Sequence, residues 1–238
     1  MAAAVKAKPA EKSPDDILTS LTSLTGTAYE TIKRRILQNA YPGGFQVLEE
    51  QLCEELGMSR TPLREALVRL EHEGLVEIIP RRGMRVLPLN AADIADIFQV
   101  LSSLELLAVR LLAARADNKH SVERMQVEVT AMKKALAADD LDTWAGADER
   151  FHRALVDESG NPRLAAAART LLDQSQRFRI FTLRMRDRPT RSTRSHEAVV
   201  SAIRRGDVDK AVDEHSHHKV NWHVQMADIL ERFGIRHI

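Results

Sequence analysis

Ser59-Arg60-Thr61-Pro62-Leu63-Arg64-Glu65-Ala66-Leu67 decides how the chain is read, since it joins a turn to the start of a two-sided helix. Pro62 sits well in a first helical turn, where its missing N–H would have had no partner, and Ser59 or Thr61 can cap the free backbone donors there. A helix is therefore predicted to begin at this point. Its apolar positions Leu63, Ala66, Leu67 and Leu70 share one face, while Arg60, Arg64 and Arg69 lie on other sides. A guanidinium fork matches the O6 and N7 acceptors of guanine, and the N-terminal residues of a recognition helix are those that meet base edges. The pattern points to DNA.

The flanking sequence fits that assignment. A first helix is predicted over 28–40, with Ile32, Ile36 and Leu37 turned inward and Tyr41-Pro42-Gly43-Gly44 ending it. A second is predicted over 48–56, closed by Gly57, which leaves Met58-Ser59-Arg60 as the turn into the third. After Gly74, the β-branched run 75–79 and the shorter 84–87 read as paired strands joined by the basic tip Pro80-Arg81-Arg82-Gly83. Together these make a winged helix-turn-helix whose wing can touch phosphate or enter a minor groove. Between Thr27 and Pro88 nine Lys/Arg stand against nine Asp/Glu, so placement of charge rather than its sum carries DNA recognition.

The 238 residues suit two domains. Residues 1–24 are expected to form a mobile tail, 25–89 the winged domain and 90–238 an all-helical second domain. A composition 44% hydrophobic but only 4% aromatic calls for cores of Leu, Ile, Val and Ala, and a net charge of +1 excludes a polyanion-coating or membrane-surface protein. The single cysteine, Cys53, excludes an intrachain disulfide framework, and its helical position suggests packing. No uninterrupted apolar run approaches the roughly 18 residues of a membrane helix, and the Ala/Lys-rich start lacks the apolar stretch of a secretory signal. No membrane partner and a cytoplasmic location are expected.

From Asn90 onward, six helices are predicted over 91–116, 121–138, 141–159, 162–186, 190–204 and 208–232, a set able to close around a central cavity. In the helix from Leu141 the apolar stripe of Leu141, Trp144, Ala145, Leu155 and Val156 has Asp148 and His152 in its middle. A buried carboxylate must be neutralised, paired or metal-bound, and the i, i+4 spacing sets both side chains on one side, one turn apart. His196 shares a stripe with Val199, Val200 and Ile203. In the last helix His215 lies near the centre of the stripe and His218 toward its edge, so periodicity leaves both open with a slight preference for His215.

Two resemblances extend this reading. Ser59 to Leu67, with Leu70, Gly74-Leu75-Val76 and Arg82-Gly83, resembles the GntR family of bacterial transcription regulators. That resemblance implies operator contacts by Ser59, Arg60, Thr61, Arg64, Arg82 and Gly83. Many relatives carry an arginine where this chain has Glu50, so no phosphate contact is expected there. The pattern Asp148-x-x-Phe151-His152, Asn161-Pro162-x-Leu164, His196-Glu197-x-Val199, Gly206-Asp207-x-x-x-Ala211 and His218 resembles the FCD effector domain of FadR-like members, and the six-helix count is similar to their VanR branch. It implies a divalent metal held by Asp148, His152, His196 and His218, with His215 as the substitute for His218. Zinc is the first candidate, and nickel, manganese or iron also suit three imidazoles and one carboxylate.

A divalent ion beside one carboxylate leaves positive charge in a low-dielectric cavity, which suits a small organic acid as effector. One of Arg177, Arg179, Arg184, Arg186 and Arg188 can clamp such an acid, although the same arginines can lie on a solvated or dimer-facing surface with their stems over apolar neighbours. None is singled out. The expected function is a DNA-binding regulator, a repressor by the family's commoner habit, that meets a pseudo-palindromic operator as a homodimer and answers to an organic acid. The alternatives are a regulator that senses the metal itself, or a metal-dependent enzyme with an accessory DNA-binding domain. No further inward carboxylate is expected to serve as a general base, which weighs against the enzyme.

Overall fold

The computed structural model describes residues 14–235 and His237, with side chains from Ser23 onward. The described residues form two compact units, one comprising the chain up to Arg35 with Gly44–Leu87, the other Ile36–Gly43 with Pro88–Ile238.

The first unit carries α1 (Pro14–Leu37), β1 (Gln46–Val47), α2 (Glu49–Leu56), α3 (Arg60–His72), β2 (Val76–Ile79) and β3 (Gly83–Val86). The expected winged helix-turn-helix is present. Helix α1 begins at Pro14 rather than near residue 28, so the tail expected over 1–24 is helical from residue 14; residues 1–13 lie outside the described residues. A proline at the first helical position is a good start signal, and arginines 34 and 35 suit the C-terminal end of the helix dipole. Gly57, at φ 64°, closes α2, and its successor Met58 donates to the Cys53 carbonyl. Ser59 holds the N-cap position of α3 in extended backbone, but its hydroxyl makes no capping bond.

Leu63, Ala66, Leu67 and Leu70 are fully buried, as the periodicity requires. Polar contacts tie α1 to α3: Thr25 donates to Glu65 (2.8 Å), Tyr29 to Glu73 (2.7 Å), and Lys33 to the other Glu73 oxygen (2.7 Å). The sheet is three-stranded and antiparallel in the order β1-β3-β2. Strand β1 is an addition to the predicted pair; its two residues offer no periodicity, and only their partner across the sheet defines them as a strand.

The second unit comprises α4 (Ala91–Ala114), α5 (Lys119–Ala137), α6 (Leu141–Asp157), α7 (Pro162–Thr182), α8 (Thr190–Arg204) and α9 (Val208–Arg232). The number and order match the sequence reading, with C-terminal ends shortened by up to four residues and α5 beginning two residues early, at Lys119. The starts are explicit. Asn90, Asp140, Asn161 and Asp207 each accept from a backbone N–H of the first turn, the side-chain capping that orphan helix donors need. Helix α4 lies against α6, α7, α8 and α9, while α5 packs on α6 and α8. A stretch of α4 is apolar enough to cross a membrane by length and composition alone, which a search for unbroken runs overlooks, yet 44% of that window is buried inside the protein. The expected central cavity is largely filled by α4 and by a buried polar cluster.

Gly83 is a sharp test of the wing. Its φ is +80°, and a Cβ there would stand 2.0 Å from the Val47 carbonyl oxygen of β1. Gly83→Ala is expected to destabilise the first unit by about 2 kcal/mol or more, read by denaturant unfolding.

Candidate functional site

Two groups of residues carry the chemistry. In the first unit, Ser59, Arg60, Thr61 and Arg64 are all exposed along the first turns of α3. Arg64 Nε lies 2.8 Å from Glu49 and Arg60 3.8 Å from Glu50, so in this DNA-free structure both recognition-helix arginines rest against acids of α2. Such exposed pairs are weak and a phosphate or base edge can replace them. At the wing, Arg81 takes φ 64° to turn the chain and Arg82 projects into solvent, its amide donating to the Ile79 carbonyl. Gly83 is buried against β1, so its own requirement is for backbone space.

In the second unit the inward polar residues converge. His152 of α6, His196 of α8 and His218 of α9 are buried, and one ring nitrogen of each lies within 4.8 Å of the others. Tetrahedral nitrogen ligands on one zinc ion stand about 3.4 Å apart, so the three rings would draw closer together to share an ion. Asp148 Oδ1 accepts from His196 Nε2 at 2.9 Å and lies 3.9 Å from His152 Nε2. Its other oxygen accepts from Arg179 Nη1 at 3.1 Å. His215 is turned elsewhere: its Nε2 donates to Glu105 at 3.1 Å, while exposed His217 contacts only the Asp213 carbonyl of its own helix.

Glu105 is the residue the sequence reading missed. It is fully buried on α4, accepts from His152 Nδ1 at 2.9 Å as well as from His215, and pairs with the ammonium of Lys219. The expectation of no further inward carboxylate is thereby corrected. Its spacing held the signal, for Glu105 stands four residues after Leu101 and three before Ala108, in the buried stripe of α4. By donating Nδ1–H to Glu105, His152 is fixed in the tautomer that leaves Nε2 bare toward the cluster, the usual arrangement behind a metal-ligating imidazole. Three imidazoles and a carboxylate suit a divalent transition metal.

Comparison with known proteins follows the same division. The profile for the FCD domain matches residues 96–220, and that described as bacterial regulatory proteins, gntR family, matches residues 24–86. The chain belongs to the GntR family. An uncharacterized HTH-type transcriptional regulator in the TAR-I ttuE-ttuC' intergenic region of Agrobacterium vitis is 44% identical over 54% of this chain and 77% of its own length. The protein named as the probable D-xylose utilization operon transcriptional repressor of Paenarthrobacter nicotinovorans is 31% identical over 83% of this chain and 86% of its own. The solved structure of E. coli McbR/YncC matches in fold with a TM-score of 0.72 at 20% identity, covering 88% of this chain and 98% of that one. This GntR-family protein is thus a DNA-binding transcriptional regulator, and its relatives are regulators rather than enzymes.

The regulator's arginine row divides. Arg179 is buried on Asp148, Arg184 reaches Asp142 at 2.9 Å on the surface, and Arg188 lies 3.7 Å from Asp139. A uniformly solvated or dimer-facing surface is therefore not what these residues form. Charge in the cluster is sharply polarised. Burial opposes ionisation of Asp148, but the His196 hydrogen bond and the Arg179 charge hold its carboxyl well below the usual range; Lys219 and His152 do the same for Glu105. Burial is also the main reason His152 falls to about 3 and His215 to about 4, with His218 well below its ordinary value. All three stay neutral at physiological pH. The bare nitrogens of His152 and His218 are then metal-ready without losing a proton.

Two predictions follow from these groups. Glu105→Ala leaves the Lys219 charge buried and unpaired, which costs about 3–5 kcal/mol, and frees the His152 ring, which lowers zinc affinity about 10- to 100-fold. Adding Lys219→Met restores stability in denaturant titration, whereas zinc affinity by calorimetry stays low. As for pH, the unfolded chain protonates each imidazole below about 6.5, while the folded protein keeps His152 and His215 neutral down to about 3 and about 4. Stability is full above the unfolded value and is lost as pH falls toward the folded ones. In metal-free protein, unfolding free energy at pH 5.5 drops by about 1.4 kcal/mol for each of these histidines relative to pH 7.5.

Proposed function

We propose that the protein is a cytoplasmic repressor that grips a pseudo-palindromic operator as a homodimer and whose grip is modulated by a small organic acid at a divalent-metal site. The winged domain, 25–89, supplies Ser59, Arg60, Thr61 and Arg64 from the recognition helix and Arg82-Gly83 from the wing. The helical domain, 90–238, supplies Asp148, His152, His196 and His218. One observation carries the sensing half: three buried imidazoles gathered from three helices within 4.8 Å, beside a carboxylate held ionised. An arrangement so costly to bury without a ligand is unlike a packing core. A bound divalent ion, zinc first, would supply net positive charge to attract an acid.

The chain's own residues do the rest. Glu105 orients His152, and Arg179 holds Asp148 ionised. Because α4 carries Glu105 and follows the wing strand after only Leu87-Pro88-Leu89-Asn90, a ligand that favours one arrangement of α6, α8 and α9 over another biases α4 as well. DNA is released only as far as the acid binds the two arrangements unequally. Two winged units related by a two-fold axis match half-sites about one DNA turn or a fixed offset apart. For the contact between copies, α4 offers Val100 and Leu107, 51% and 43% exposed and two turns apart on one side.

Operator binding is expected to weaken by about tenfold or more for Arg60→Ala or Arg64→Ala, with helix content unchanged, in titrations of a labelled fragment of the protein's own promoter. Val100→Glu with Leu107→Glu should shift the protein from dimer to monomer in light scattering and lower operator affinity in parallel. Elemental analysis should find one divalent ion per chain, lost in His196→Ala. Unchanged operator binding across metal-stripped, metal-loaded and acid-supplied protein would refute the sensing half. Release by metal alone would favour the metal-sensing alternative.

A further inference from the structure

Three arginines of the row near the histidine cluster meet carboxylates. Arg179 meets Asp148, Arg184 meets Asp142 and Arg188 meets Asp139. Arg186, in the turn between α7 and α8, has its Nε and Nη2 sealed from solvent without any hydrogen-bond partner. Its guanidinium carbon lies 5.5 Å from the centre of the Trp144 ring, so the plane is braced although those two donors are idle. Burial, helped by the nearby Arg179 charge and opposed by that of Asp148, drags the group down to about 10. Sealed guanidinium nitrogens without an acceptor are costly, and the acceptor that the Nε and Nη2 edge fits best is a planar, bidentate anion.

The surrounding space says how such an anion arrives. Arg186, Asp148, His152 and His218 line a closed chamber of ≈ 10 Å³, which admits about one water-sized group. That chamber shares Arg186, Ser192, His218 and Trp222 with an open cleft of ≈ 470 Å³ between the start of α8 and the face of α9, a volume typical of small-molecule sites. Only the end of a ligand enters the chamber; its body occupies the cleft. Ser192 and Ser195 of α8 and Asn221 and Gln225 of α9 line that space beside the charged Arg191 and Asp228; the four neutral groups both donate and accept. An aliphatic body would strip them of water and leave them unpaired, whereas hydroxyl groups replace the water.

We infer that Arg186 is the receptor for the carboxylate of a polyhydroxylated acid, whose hydroxyl-bearing chain lies in the cleft lined by Ser192, Ser195, Asn221 and Gln225. This rests on the reading of the helical domain as the sensor of an organic acid and names the class of acid. It also explains why two sealed nitrogens of Arg186 are left without acceptors at the mouth of the cluster: stability is given up in the empty state and recovered on binding.

The test uses full-length, zinc-loaded protein and calorimetry with glycerate, threonate, ribonate and gluconate, each beside the unsubstituted acid and the alditol of the same carbon number. At least one hydroxy acid should bind about tenfold or more tightly than its aliphatic counterpart, and its alditol should not bind. Arg186→Met should abolish that binding while leaving zinc stoichiometry intact. In the ligand-free state the same variant should melt at an equal or higher temperature than the wild type, which a merely structural arginine would not do. Arg186→Lys, which keeps the charge but loses the fork, should bind with an intermediate constant. Should the hydroxy acid bind the methionine variant as tightly as the wild type, or the aliphatic acid bind equally well, the assignment of Arg186 and its ligand class is overturned and acid sensing itself stands. Should no carboxylate bind the zinc-loaded wild type, both fall.

Discussion

The buried carboxylate of Glu105 is the constraint around which the helical unit is organised. It belongs to α4, the helix that lies against α6, α7, α8 and α9, and one or other of its oxygens meets His152 of α6 and both His215 and Lys219 of α9. An ionised carboxylate with no solvent contact survives only if its lone pairs are satisfied and its charge is matched, and here both conditions are met by side chains from other helices. The carboxylate therefore dictates where α6 and α9 must lie relative to α4. It also decides the tautomer of His152, and through it the direction in which that ring offers a nitrogen.

Asp148 repeats the device on a smaller scale. Its oxygens are divided between His196 of α8 and Arg179 of α7, so every helix of the unit except α5 contributes a polar side chain to one connected network. Low dielectric makes such a network stiff when complete and expensive when any member is missing. A unit built this way has a natural place for a ligand to act, because an ion or anion that joins the network changes the balance on several helices together. Its sensitivity and its fragility have the same origin.

The winged unit follows a different economy. Its charge is nearly balanced, and Arg60 and Arg64 are opposed by Glu50 and Glu49 across the turn. Weak exposed pairs of this kind reduce indiscriminate attraction to phosphate, which depends on uncompensated positive charge, while leaving the guanidinium forks at the positions from which base edges are read. The wing's geometry depends on a tight approach of backbones at Gly83 rather than on any side chain.

Local order was legible in the sequence. The helix-turn-helix, its capping glycine, the buried leucines of α3, the two-stranded wing and the six later helices all follow from spacing and turn residues, since each is fixed by neighbours a few positions away. Periodicity also brought Asp148, His152 and His196 to inward faces. It could not choose between His215 and His218, because both lie on one side of α9 and the choice depends on Glu105, 110 residues earlier in the chain. Strand β1, the fates of Arg179 and Arg186, and the role of Glu105 escaped for the same reason. A stripe tells which way a side chain faces, whereas what it faces is set by the packing of distant segments. The sequence alone determined the helices, the wing pair and the inward faces that carry Asp148, His152 and His196; the tertiary structure alone decided which buried polar residues meet, since electrostatic partners in a buried core are chosen by proximity in space.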